Sequence, residues 1–151
     1  MTFEQRINND LKTAMKQKDE AGKRGIRAIK QAILLAKTDG SGRAEFSDAD
    51  AITMVEKLIK QRKDSLKIFE DSGRDELARV EREEIEVLQR YLPEQMSDAE
   101  LSTAIRDIIA QTGASSMKDM GKVMGAARGQ LAGRADGRAI STEVKRQLTG
   151  G

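Results

Sequence analysis

The chain has a single proline, Pro93, in 151 residues. Proline is the residue that most reliably stops a helix, so the 92 residues before it and the 58 after it can run as long helices. The abundance of Ala, Glu, Lys, Arg, Gln and Leu pulls the same way, and no stretch alternates apolar and polar residues with β-branched enrichment. The expected fold class is therefore all-α. An N-terminal four-helix subdomain, residues 1–93, is expected to precede a smaller C-terminal three-helix subdomain, residues 94–151.

Caps and periodicity give the helices. Thr2 and Gln5 form a capping box for a first helix to about Lys18, with Phe3, Ile7, Leu11 and Met15 recurring every fourth residue. A second helix, Asp19 to Lys37, gathers Ile26, Ile29, Ile33 and Ala36 on one face. Leu34 and Leu35 lie off that stripe, which points to a further helix or a protein partner covering that end. Thr38 to Phe46 is polar and Gly-rich and reads as a mobile loop. Ser47 with Asp50 opens a third helix that Gly73 stops, and a fourth runs from Asp75 to Tyr91. Beyond Pro93, Ser97 and Glu100 cap a fifth helix ending before Gly113. A sixth spans Met117 to Leu131, and Asp136 caps a last one ending near Leu148.

The turn at Gly73 sets the third and fourth helices antiparallel. Matching their apolar positions about one centre pairs Phe69 with Leu77, Leu66 with Val80, Ile59 with Val87 and Val55 with Tyr91. The same register sets Arg62 opposite Glu84, inside both apolar stripes, so a partly buried structural ion pair is expected.

Catalytic chemistry finds little to work with. The chain has no cysteine and no histidine, which removes thiol nucleophiles, disulfides, imidazole bases and the usual zinc ligands. Of Glu81, Glu83, Glu84 and Glu86, only Glu84 faces the core. The others sit among Arg79, Arg82 and Arg90 as solvated pairs rather than a two-carboxylate site. The segment Asp39-Gly-Ser-Gly falls short of a calcium loop. Ser116 with Asp119 fits a helix cap better than a Ser–Lys dyad with Lys118. Thr112 to Gly125 has glycines near a helix start but lacks the phosphate-loop pattern. The expectation is no catalytic residue, no metal, no cofactor and no enzyme activity in the isolated chain. No apolar run is long enough for a membrane span and no apolar signal segment opens the chain, so no membrane partner is expected. With the lack of cysteine, that suggests a cytoplasmic protein.

Binding chemistry is better represented. Residues 6–37 hold nine Lys/Arg against three Asp/Glu, whereas residues 48–86 hold eight against twelve. Lys23, Arg27, Lys30 and Lys37 share one face of the second helix, and Lys60, Lys63 and Lys67 one face of the third. In the sixth helix Gly121, Gly125 and Gly129 recur at i+4 beside an apolar stripe of Met117, Met120, Val123, Met124, Ala127 and Leu131. A glycine ridge lets something approach closely, most simply a neighbouring helix, otherwise an RNA backbone. Lys118, Lys122 and Arg128 surround it. Scarce aromatics disfavour single-strand readout and leave shape and phosphate contact.

The segments KQRKDSLKIFEDSGRDEL (Lys60–Leu77), VLQRYLPEQMSDAEL (Val87–Leu101), TGASSMKDMGKVMG (Thr112–Gly125) and GRADG (Gly133–Gly137) resemble the YqeY-like family over essentially the whole chain. That family is related to the C-terminal tail found on one component of the tRNA-dependent amidotransferase, which converts Glu-tRNA(Gln) or Asp-tRNA(Asn) to the amide form. The resemblance implies a helical N-terminal subdomain, a three-helix C-terminal one and a mobile appendage that contacts tRNA. Glutamine hydrolysis, ATP-dependent activation and amide transfer belong to other parts of that assembly, so the family's association with glutamine-dependent carbon–nitrogen ligation implies no such activity in this chain. The expected function is a non-catalytic tRNA-binding or amidotransferase-associated module, with Lys118, Lys122, Arg128, Arg134 and Arg138 as candidate RNA contacts. The alternatives are a protein-binding adaptor and an accessory to the amidotransferase complex.

Overall fold

The structure, a computed structural model, describes residues 1–38 and 47–150. Among them the chain forms seven α-helices, one short 3-10 turn and no strand: α1 (Phe3–Lys16), α2 (Glu20–Lys37), α3 (Asp48–Asp71), α4 (Asp75–Gln89), α5 (Asp98–Thr112), the 3-10 turn (Met117–Asp119), α6 (Met120–Gln130) and α7 (Gly137–Leu148). The loop expected over Thr38–Phe46, with its Asp39-Gly-Ser-Gly segment, lies outside the described residues from 39 to 46. The chain divides into two compact units, Met1–Leu92 and Pro93–Gly151.

Local chemistry sets the ends. Thr2, Ser47 and Ser97 each form a reciprocal capping box, with Gln5, Asp50 and Glu100, so orphan N–H groups at those three starts are satisfied. The first helix ends at Lys16, not Lys18, because Lys18 takes a left-handed φ of 56° that turns the chain into α2. Asp19 then caps α2 through a 3.0 Å bond from the Gly22 N–H. Gly73 and Gly113, both at φ 70°, close α3 and α5. The fourth helix ends at Gln89 rather than Tyr91. Leu92 precedes Pro93, and that position disfavours helical backbone, so the last residues close as turns.

In the first unit, Ile7, Ile26, Ile29, Ile33, Val55, Ile59, Ile85, Val87, Leu88 and Tyr91 make one core, with Phe3, Leu11, Leu58 and Leu66 against it. Helices α3 and α4 pair antiparallel. Near the hairpin tip the apolar stripe is rotated from the expected one: Ala78 is fully buried, whereas Leu77 and Ile68 are exposed. Among the described residues Leu77, 43% exposed, is left largely uncovered at the tip. In the second unit Leu101, Ile105 and Ile108 of α5, Val123, Met124 and Ala127 of α6, and Ile140 and Val144 of α7 make a separate core.

Candidate nucleic-acid interface

The sixth helix begins where Gly113 ends α5. The Asp119 carboxylate accepts the N–H groups of Ser115 at 2.9 Å and Ser116 at 3.4 Å, and the Ser116 hydroxyl accepts the Lys118 N–H at 3.4 Å. Those backbone donors, Ser115 first, hold Asp119 below the usual carboxylate range. The serines thus serve a cap. The expected single helix from Met117 resolves into a 3-10 turn followed by α6.

Val123, Met124 and Ala127 bury one side of α6. At 100° per residue, Gly121, Gly125 and Gly129 fall on the opposite side. A β-carbon built on any of the three would meet nothing within 4 Å. Among the described residues the close helix neighbour expected for the glycine ridge is absent, because the helix packs through its larger side chains and leaves the bare backbone facing outward. Lys122 flanks the ridge on one side and Arg128 on the other, with Lys118 at its N-terminal end. All three are exposed, and the Lys122 charge also helps to hold Asp119 low.

The other two candidates are placed differently. Arg134 Nε donates to the Glu94 carbonyl at 3.1 Å, the Arg134 carbonyl accepts the Met96 N–H at 2.9 Å, and Gln95 Nε2 donates to the Gly133 carbonyl at 2.5 Å. Arg134 is therefore a tie between the segment after Pro93 and the turn before α7. Arg138 is exposed in the first turn of α7. A cation there opposes the helix dipole, so local helix electrostatics do not explain it.

Polar networks elsewhere are architectural. Arg62 Nε stands 3.2 Å from Glu84 Oε2, with both side chains less than one-fifth exposed. Arg24 joins this pair from α2, 2.7 Å from Glu83 and 3.5 Å from Glu84. Glu83, expected to be a solvated helix-surface carboxylate, is held low by its hydrogen bond from Arg24, and Arg79 also pairs with it. Burial, reinforced by the Glu84 charge, pushes Glu81 up. At the far end of α4 the Tyr91 hydroxyl donates to Asp10 at 2.6 Å, and the Arg6 guanidinium lies 4.7 Å from the Tyr91 ring centre. Asp10 and Arg24 went unnoticed in the sequence because their partners are 81 and 59 residues away. In α7, Glu143 accepts from Arg146 and Gln147, and Gln147 Nε2 also reaches the Ser102 carbonyl at 2.8 Å. Those bonds, Arg146's first, bring Glu143 down to about 2.

Among the described residues no group of three or more acidic side chains is placed to hold a metal ion, and no helix is long and apolar enough to cross a membrane.

Comparison with known proteins supplies the lineage. The YqeY family, described as Yqey-like protein, matches residues 4–148. Curated relatives include "Altered inheritance of mitochondria protein 41, mitochondrial" from Candida glabrata, 38% identical over 58% of this chain and 48% of that protein. The protein of the same name from Meyerozyma guilliermondii is 34% identical over 70% of this chain and 55% of its own length. That from Saccharomyces cerevisiae is 36% identical over 63% and 51%. This chain thus spans about half the length of the curated relatives it matches. Their names assign them to mitochondria, which overturns the cytoplasmic expectation. That expectation rested on missing cysteines and a missing apolar segment, and neither trait is specific to one compartment. With a match running from residue 4 to residue 148, this chain belongs to the YqeY-like family.

Proposed function

We propose that this chain is a non-catalytic RNA-binding module that recognises tRNA by shape and phosphate contact and works beside the machinery that amidates charged tRNA. One observation carries this reading: the exposed glycine ridge of α6 flanked by Lys118, Lys122 and Arg128. Each interior glycine costs a helix about 0.5–1 kcal/mol relative to alanine. Among the described residues no neighbour within 4 Å of the missing β-carbons repays that cost. A bare ridge admits a sugar–phosphate backbone to the helix surface, and the three cations supply the phosphate contacts. The family's kinship with the amidotransferase tail favours tRNA as the RNA.

The test is titration of the full chain with purified tRNA at two salt concentrations. Binding should weaken steeply with salt, and Lys122→Ala should lower the slope of log affinity against log salt by about one. Absence of binding at low salt would end the proposal.

A further inference from the structure

A second surface lies in the other unit. Helices α1 and α2 run antiparallel, and the Lys37 Nζ to Glu4 bond of 2.8 Å marks one end of their seam. There a groove of about 250 Å³ opens between them, floored by the buried Ile7 and Ile33 and edged by Leu34, Asn8, Lys30 and Lys37. Leu34 is 56% exposed. Met15, 53% exposed, lies two helical turns beyond Asn8 on the same side of α1, with the exposed Lys12 between them.

We propose that this seam docks an acidic amphipathic helix of a partner protein. Length, polarity and charge each bear on the choice. From Lys23 to Lys37 the seam runs about 21 Å, the reach of a four-turn helix. The exposed Leu34 and Met15 and the isoleucine floor suit leucine-like anchors at i, i+4 and i+7, whereas a sugar–phosphate chain, though the lysines could bind its phosphates, has no apolar group to bury there. Lys23, Lys30 and Lys37 recur every seven residues along one bank, with Arg27 beside them. Lys23 and Lys37 are paired with Glu20 and Glu4. Lys30 and Arg27 are exposed, with no side-chain ion pair among the described residues. A heptad row of cations matches a heptad row of carboxylates on the incoming helix. Once seated, that helix would lie across α1 and α2 as a further layer and take Leu34 and Met15 out of water.

The probe is a labelled synthetic peptide of about four turns, with leucines at those anchor positions and glutamates on their flanks, titrated with the full chain. Controls are the same composition scrambled, and a version with lysine for glutamate. The patterned acidic peptide should bind and both controls should not. Leu34→Asp, a substitution at an exposed site, should retain the circular dichroism of the parent and weaken binding about tenfold or more. Lys30→Glu should weaken it too, and tRNA affinity should be unchanged in both variants. Lys122→Ala should do the reverse, so this proposal and the RNA reading fail separately. Failure of the patterned peptide to bind, or equal binding of the scrambled peptide, overturns the docking site. So does loss of tRNA binding in Leu34→Asp, which would make the occupant RNA. Self-association of the chain abolished by Leu34→Asp in sedimentation would make it a second copy, and equally overturns the proposal.

Discussion

Gly25 of α2 and Val87 of α4 are so close that a β-carbon at residue 25 would stand 2.8 Å from Val87 Cβ and 2.6 Å from its Cγ1. Val87 Cβ is fixed to the backbone and cannot swing aside. Gly25→Ala should therefore destabilise the protein by about 1–2 kcal/mol, overpacking outweighing the gain in helix propensity. In a Val87→Gly background, where that Cβ is gone, the same substitution should become neutral or stabilising. Chemical denaturation of the four variants measures both.

The glycines of α6 predict the opposite sign. Gly121→Ala, Gly125→Ala or Gly129→Ala adds a methyl group into open space. Each should stabilise the fold by about 0.5–1 kcal/mol and, through the closed ridge, weaken tRNA binding. Thermal unfolding and tRNA titration of the same variants check the pair of effects. Stabilisation without any loss of affinity would detach the ridge from the RNA.

Glu84 is shared by Arg62 and Arg24. Glu84→Gln leaves two guanidinia facing one another with a neutral amide between them, and should cost about 1–3 kcal/mol. Adding Arg62→Gln should recover part of that loss, because it removes the charge left uncompensated. A double-mutant cycle in denaturant gives the coupling.

Glu143 predicts an acid dependence. Its carboxyl falls from an ordinary value of 4.5 to about 2 in the folded chain. A carboxyl lowered on folding adds stability that is complete above its ordinary value and disappears as pH falls toward the folded one. The thermal midpoint should therefore drop between pH about 4.5 and about 2. Glu143→Gln should flatten that decline. An unchanged profile in the variant would assign the acid loss to other carboxylates.

The elements were legible where a signal is local. Thr2, Ser47 and Ser97 announce helix starts within four residues, and α3 and α4 declare their antiparallel pairing through the short turn at Gly73, bringing Arg62 onto Glu84. What escaped depends on distance along the chain or on the third layer. Ala78 rather than Leu77 is buried because that choice depends on what else covers the hairpin. Arg24 enters the Arg62–Glu84 pair only once α2 lies against α4. For the candidate RNA surface, sequence spacing put the glycines and cations on one helix. It could not say that Arg134 is spent on the Glu94 carbonyl, a bond 40 residues apart in sequence.

The eleven-residue α6 holds three glycines and begins on a 3-10 turn rather than a regular first turn. Cut away from the apolar side chains of α5 and α7, such a peptide would unwind in water. Its rigidity is borrowed. Amide protons along Gly121–Gly129 should then exchange with solvent sooner than those of α5, through brief local openings that leave the rest of the protein intact.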